Sequence, residues 1–345
     1  MLPPTRENGP TGIRFAYDAR TGRLALGKKN GNIRLRDPSR EDDMILEGHT
    51  DAPRRLVLTR DASRLLSTSD DGTARLWNLD DGSTRHELRW HVAEIRFATF
   101  NDDESLVLTG SIDRTARLWD TRSGASLVTF PGHHRGVTGV AFFPGTSDTI
   151  VTVSRNQLRI WDARRSREFE GFHGHRSSVV YADFSPDGEQ VVTASRDIAA
   201  RSWPTESFEA PRVREGHDRM LACASFNVRG DRIATASFDS TVRVWDAKTL
   251  ETLETLATAE FYGRIYGAIY DHGPGRILVK ASRGVATILE DENLDEVGTL
   301  GGHAGPVHYG AFFQGSGALV TAGSDRTARI WKKHGNEWMQ DVEIK

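Results

Sequence analysis

Serine, histidine and aspartate recur in this chain at spacings that invite a catalytic reading. Ser69, His49 and Asp71 would supply the nucleophile, base and orienting carboxylate of a hydrolase triad. The trio returns as Ser111, His91 and Asp113, as Ser195, His175 and Asp197, and as Ser237, His217 and Asp239. A hydrolase needs one strained, exposed site, so equivalent copies argue for a repeated structural part. The histidines lack metal-ligand spacing, and Cys223 is the sole cysteine, which excludes an intrachain disulfide and a cysteine-based metal site. Gly301-Gly302 and Gly273-Pro274-Gly275 lack the lysine and following helix of a phosphate-binding loop. Asp102-Asp103-Glu104 and Glu290-Asp291-Glu292 read as solvated loop charges. No catalytic residue, metal or cofactor is expected.

The elements that hold these residues follow from a period. Trp77, Trp119, Trp161, Trp203 and Trp245 stand 42 residues apart, and Trp331 follows after 86, with Leu289 where a member is missing. His49, His91, His133, His175 and His217 keep the same step, and His303 again follows after 86. Six residues before the tryptophan stand Asp71, Asp113, Asp197, Asp239 and Asp325. Between the markers lie short alternating stretches, such as Val137 to Phe142 and Thr241 to Trp245, that read as strands. Turn residues such as Ser185-Pro186-Asp187-Gly188 separate them. Four strands in about 42 residues cannot bury both faces alone, so the units must stack. Residues 12–47 extend the pattern backward, with Arg36-Asp37 in the place of Trp-Asp.

These Gly-His pairs, Ser-x-Asp turns and Trp-Asp endings resemble the WD-repeat (WD40) family. The resemblance implies an all-β propeller of four-stranded antiparallel blades around a central channel. Residues 1–11 are expected to be a flexible N-terminus and residues 12–345 a single propeller. Eight blades are expected, at 12–47, 48–89, 90–131, 132–173, 174–215, 216–259, 260–301 and 302–345, with seven as the alternative. The family further implies that His49, Ser69, Asp71 and Trp77 form a buried hydrogen-bond network. It repeats as His91, Ser111, Asp113 and Trp119, as His175, Ser195, Asp197 and Trp203, and as His217, Ser237, Asp239 and Trp245. Blade seven lacks the set, Arg155 replaces the aspartate in blade four, and Gly323 replaces the serine in blade eight, so these three should lean on apolar packing.

Composition agrees with a soluble globular chain, at 37% apolar and 27% charged residues. No run approaches the roughly 18 apolar residues of a membrane span. The N-terminal sequence MLPPTRENGPT lacks the pattern of a secretory signal, so a cytoplasmic location is expected. The net charge of −3 gives no global attraction to nucleic acid, which is not an expected partner.

Family resemblance directs two positions per blade to the channel rim. One set reads Arg14, Arg54, Arg96, Thr138, Val180, Ala222, Tyr266 and His308, and the other Lys29, Asp70, Ile112, Ser154, Arg196, Phe238, Ser282 and Ser324. Five of these sixteen are basic where about two would fall by chance, so a basic sector that grips an acidic group is one candidate. The competing reading pairs the arginines with neighbours such as Asp70. Phe238, Phe261, Tyr262 and Tyr266 form a candidate aromatic patch. The function expected is a non-catalytic scaffold that presents the rim, at Arg14, Lys29, Arg54, Arg96, Arg196, Phe238, Tyr266 and His308, to a peptide or protein partner within a larger complex. The alternative is a sensor or regulatory module that recognises a small anionic ligand or nucleic acid.

Overall fold

The computed structural model describes residues 14–18, 20–164, 167–172, 174–205, 211–257, 263–271, 275–312, 318–325, 327–335 and 337–344. These residues form strands and turns without a helix. Eight four-stranded antiparallel sheets follow one another, and in each the strands pair in simple sequence order. Blade two is typical, with strands Pro53–Leu58, Arg64–Ser69, Ala74–Asn78 and Thr84–Leu88. The first strands of the other blades are Arg14–Tyr17, Ile95–Phe100, Gly139–Phe142, Val179–Phe184, Leu221–Phe226, Ile265–Tyr270 and Val307–Phe312. Blade eight completes itself with its own last strand, Glu337–Ile344. The expected count of eight therefore holds. The chain divides into two compact units, one holding blades one to four and the other blades five to eight.

Within each unit the core lies between successive sheets. Ile33 and Leu35 of blade one pack with Leu65 and Trp77 of blade two, and Leu66 and Leu76 of blade two pack with Trp119 of blade three. In the other unit one cluster runs from Tyr181 through Trp245 to Leu289, and another joins Leu278 and Ile288 to Leu319 and Trp331. The second strand of blade two is buried at five of its six positions, because it is sandwiched on both faces. Its third strand alternates more strongly. Six blades shift register between the third and fourth strands just before the tryptophan position, for example between Leu76 and Trp77. The turn between the second and third strands needs a left-handed residue, supplied in blade two by Gly72 at φ +79°.

Blade seven is built differently inside. Val279 and Ala281 occupy the register of Thr235 and Ser237, and Leu289 that of Trp245, so the interior polar groups give way to hydrocarbon. One charge remains. In blade five Tyr181 faces Ala194 and in blade three Phe97 faces Gly110, but in blade seven the sizes exchange and Gly267 faces Lys280. A Cβ on Gly267 would lie 2.6 Å from Lys280 Cε, so the lysine stem occupies the space that an aromatic ring fills elsewhere. Lys280 is 1% exposed beside Cys223, whose thiol donates to the Ala268 carbonyl at 3.0 Å.

Burial pushes the Lys280 ammonium below its ordinary value of 10.5, with Cys223 opposing the shift. Below pH 10.5 the unfolded chain therefore binds a proton more readily than the folded chain, and stability falls as pH falls. Lys280→Met removes this penalty while keeping the stem. The variant is expected to melt higher at pH 7, and its advantage should shrink toward pH 10.5. Equal melting temperatures at both pH values would refute the buried-amine assignment.

Candidate functional site

A buried hydroxyl stands at the centre of each complete blade. In blade two the Trp77 indole N–H donates to Ser67 Oγ at 2.7 Å, and Ser67 Oγ lies 2.7 Å from His49 Nε2. His49 Nδ1 lies 2.8 Å from Asp71 Oδ2. One set of donors satisfies the chain: the hydroxyl accepts from the indole and donates to Nε2, while Nδ1–H donates to the carboxylate. Thr109, Thr152, Thr193, Thr235 and Thr321 repeat the hydroxyl, and every indole and imidazole contact in the six copies falls between 2.7 and 2.9 Å.

The serine of the sequence motif has another task. Ser69 Oγ donates to the Asp51 carbonyl at 2.8 Å and accepts the Asp71 backbone N–H at 3.2 Å. Ser111, Ser195 and Ser237 make the equivalent pair of bonds. The serine thus ties the incoming loop to the turn, and the residue two positions earlier joins tryptophan to histidine. The sequence reading missed that residue, although Ser or Thr ten residues before the tryptophan, or nine in blade four, was its visible signal. The connectivity of hydroxyl, imidazole and carboxylate matches a hydrolase relay. Yet Ser67 is fully buried and its oxygen is already occupied by the indole, which shuts it off from a substrate.

Two blades qualify the pattern. Blade eight keeps His303, Asp325, Thr321, Thr327 and Trp331 in place and lacks only the serine hydroxyl, so it retains the polar set. In blade four the second and third strands join through a two-residue turn, Arg155-Asn156, with Ser154 paired to Gln157 and Arg155 at φ +52°. That turn is one residue short of the aspartate position. His133 Nδ1 is consequently buried without a hydrogen-bond partner among the described residues. Ser154, expected at the rim, is buried and donates to the Arg135 carbonyl at 2.9 Å, as Ser69 does to its own loop.

The electrostatics follow from these bonds. Burial alone would raise the carboxyls of Asp71 and Asp113, but hydrogen bonds from His49 with Thr73, and from His91 with Thr115, hold them well below the ordinary range. Asp325 is lowered to about 2 by its backbone and side-chain donors despite burial. Burial lowers His175, His217 and His303 below 6.5 against the pull of their aspartates. Burial also lowers His133 to about 3, where no aspartate opposes it and Arg159 and His134 add repulsion.

The remaining candidate residues fall on loops and strand starts, Arg14 and Lys29 on blade one and the others on blades two, three and five to eight. Arg14 begins the first strand of blade one, and its side chain lies outside the described residues, as do Phe261 and Tyr262. Arg54 makes a two-pronged pair with Asp70, and Arg96 Nε and Nη2 both bond Glu94 Oε2, at 3.1 and 2.8 Å. Lys29 and Arg196 are exposed. In blades six to eight the rings form a row. Phe238 meets Tyr266 edge-on at 5.7 Å between centroids, and Tyr266 lies 4.9 Å from the His308 ring, whose Nε2 is 2.7 Å from Ser324 Oγ. Among the described residues no helix is long and apolar enough to cross a membrane.

Two outcomes are expected of the network. Thr235→Val keeps the shape but leaves the Trp245 indole and His217 without their shared hydroxyl, and should cost about 2–4 kcal/mol in denaturant unfolding. A loss below about 0.5 kcal/mol would show that the bridge is dispensable. The lowered histidines, neutral when folded, keep full stability above pH 6.5. Protonation of the unfolded chain should erode stability as pH falls below 6.5, with the His133 contribution continuing to about pH 3. A flat unfolding midpoint from pH 7 to 4 would contradict this.

The comparisons with known proteins agree with this architecture. No curated protein matches the chain. Among solved structures, the crystal structure of the computationally designed Ika8 protein is similar over 95% of this chain and 98% of that one, at 20% identity and a TM-score of 0.77. The family described as WD domain, G-beta repeat matches residues 41–78, 82–120, 124–162, 167–203, 209–246 and 294–332, leaving out most of blade one and most of blade seven, which lack the repeat's tryptophan. With more than half of its length matched, and eight four-stranded blades in its structure, the chain belongs to the WD-repeat family of β-propellers.

Proposed function

We propose that the chain is a non-catalytic scaffold that offers the rim of its propeller to a peptide or protein partner. The observation that carries this reading is the ring row Phe238, Tyr266 and His308 on three successive blades. Phe238 and Tyr266 are half-buried and His308 exposed, so the row has both a fixed base and an accessible surface. Aromatic side chains held in this way give up little conformational entropy on binding and serve as anchors. The rigidity beneath them comes from the second and third strands of blade six, which carry a complete polar set.

An acidic partner held by the arginines is less favoured. Arg54 and Arg96 already hold Asp70 and Glu94, so an incoming carboxylate would have to displace an internal one. A small anionic ligand or nucleic acid would draw on the same residues. A cytoplasmic location and membership of a larger complex fit the scaffold role and belong to the same proposal.

Affinity capture from the native host is the test, run with the parent chain, Tyr266→Ala and an Arg54→Glu/Arg96→Glu double variant. Tyr266→Ala should lose specific partners by tenfold or more, with little sensitivity to salt, while the double variant keeps them. If Tyr266→Ala retains every partner, the aromatic anchor is wrong. Loss confined to the double variant would favour the acidic partner.

A further inference from the structure

A cavity of about 610 Å³ opens beside blades six and seven, at the end of strand Ile265–Tyr270 remote from Tyr266. Tyr270, Asp271, Gly275, Arg276, Arg232 and Asp291 line it. The repeat itself supplies internal controls for what stands there. Phe100, Phe142, Phe184, Phe226 and Phe312 take the register of Tyr270 in five other blades, each opposite an apolar residue of the second strand. Blade seven adds a hydroxyl at this position. Tyr270 is 2% exposed, and its hydroxyl has no hydrogen-bond partner among the described residues.

Asp291 is the second departure. Its backbone N–H donates to the Gly275 carbonyl, as those of Leu79, Thr121, Ala163, Thr205 and Ala247 donate to the matching turns. Three of these five residues are apolar and buried, and the hydroxyls of Thr121 and Thr205 donate to the Glu104 and Gly188 carbonyls at 2.9 and 2.7 Å. Asp291 places a carboxylate there. It is 9% exposed, contrary to the expectation of a solvated loop charge, and among the described residues its carboxylate takes no hydrogen bond or ion pair. Its oxygens face the cavity, where a cation can reach them directly.

The cations around it are committed or remote. Arg276 bonds Asp271 at 2.5 Å and lies 5.6 Å from the rings of Phe312 and Trp338. Arg232 donates to the Asp291 backbone carbonyl at 2.6 Å. Arg229 and Lys333 stand exposed at the mouth, where water screens them. The groups left without a partner among the described residues are thus the Asp291 carboxylate, which faces the cavity, the Tyr270 phenol and the Nε of Arg276. Burial, reinforced by the charge of Asp291, keeps that phenol protonated.

We infer that this cavity binds an organic cation, a primary ammonium or guanidinium group that pairs with Asp291 and donates to the Tyr270 oxygen. The group can arrive on a free amine or as the lysine or arginine side chain of another protein. In either case Asp291 holds the charge and Tyr270 sets the depth of entry.

Isothermal titration calorimetry of the full chain tests this with agmatine, with capped arginine and lysine (N-acetyl methylamides), and with inorganic phosphate. Asp291→Ala and Tyr270→Phe install the residues of blade six and should melt no lower than the parent. At least one amine should bind saturably, tenfold or more weaker to Asp291→Ala and severalfold weaker to Tyr270→Phe. Binding of agmatine alone points to a free amine, and equal binding of the capped residues points to a protein side chain. Failure of all three cations to bind overturns the inference, as does affinity unchanged by Asp291→Ala. Phosphate binding in place of the amines, or a sharp drop in the melting temperature of Asp291→Ala, does the same.

Discussion

The structure depends on one buried hydroxyl per complete blade, shared between an indole N–H and an imidazole nitrogen. Indole and imidazole are both too polar to sit dry between packed sheets unless each finds a partner. The Ser or Thr hydroxyl meets both needs from one atom, because it accepts along one direction and donates along another. From that atom the bonds run outward through histidine to the turn aspartate and on to the loop that leads into the blade. A strand interior is thereby linked to two surface loops, which are the loops a propeller offers to partners.

Blade seven shows what happens when the centre is removed. With Val279 and Leu289 in place of Thr and Trp, nothing inside demands the network's histidine or turn aspartate, and neither of those two positions is filled by one. The sheet keeps its strands and register, since apolar burial suffices to hold four strands between neighbours. Freed from the network, this blade carries the chain's unusual groups: Lys280 within, Tyr266 at one end of its first strand and Tyr270 at the other. Blade four marks an intermediate case, in which a turn one residue shorter removes the aspartate and leaves His133 half satisfied.

These departures bear on function because the repeat makes everything else the same. Where several blades place phenylalanine, alanine or a satisfied threonine, a tyrosine hydroxyl or a carboxylate without a partner stands out against its own siblings. The arginines of blades two and three differ in kind. Their charges are conspicuous in the sequence, but carboxylates from the same blades answer them.

Sequence alone determined the architecture here, because two residue types keep one period and skip the same unit, and only stacked, equivalent sheets explain that. It also singled out blade seven as lacking the network, but it wrongly grouped blade eight with the incomplete blades. It did not reveal the bridging hydroxyl, since Ser67 or Thr235 looks like any β-branched or small residue inside a strand until the indole and imidazole are seen on either side of it. It also misjudged Asp291, one of three consecutive acidic residues, because burial depends on how the turn folds against Gly275. Whether Arg54 is available, whether Phe238 meets Tyr266, and whether Tyr270 finds a partner are likewise decided by tertiary contacts. Periodicity is a property that composition and spacing carry, whereas pairings such as those of Arg54 and Cys223 are settled by neighbours 16 and 45 residues away in the chain.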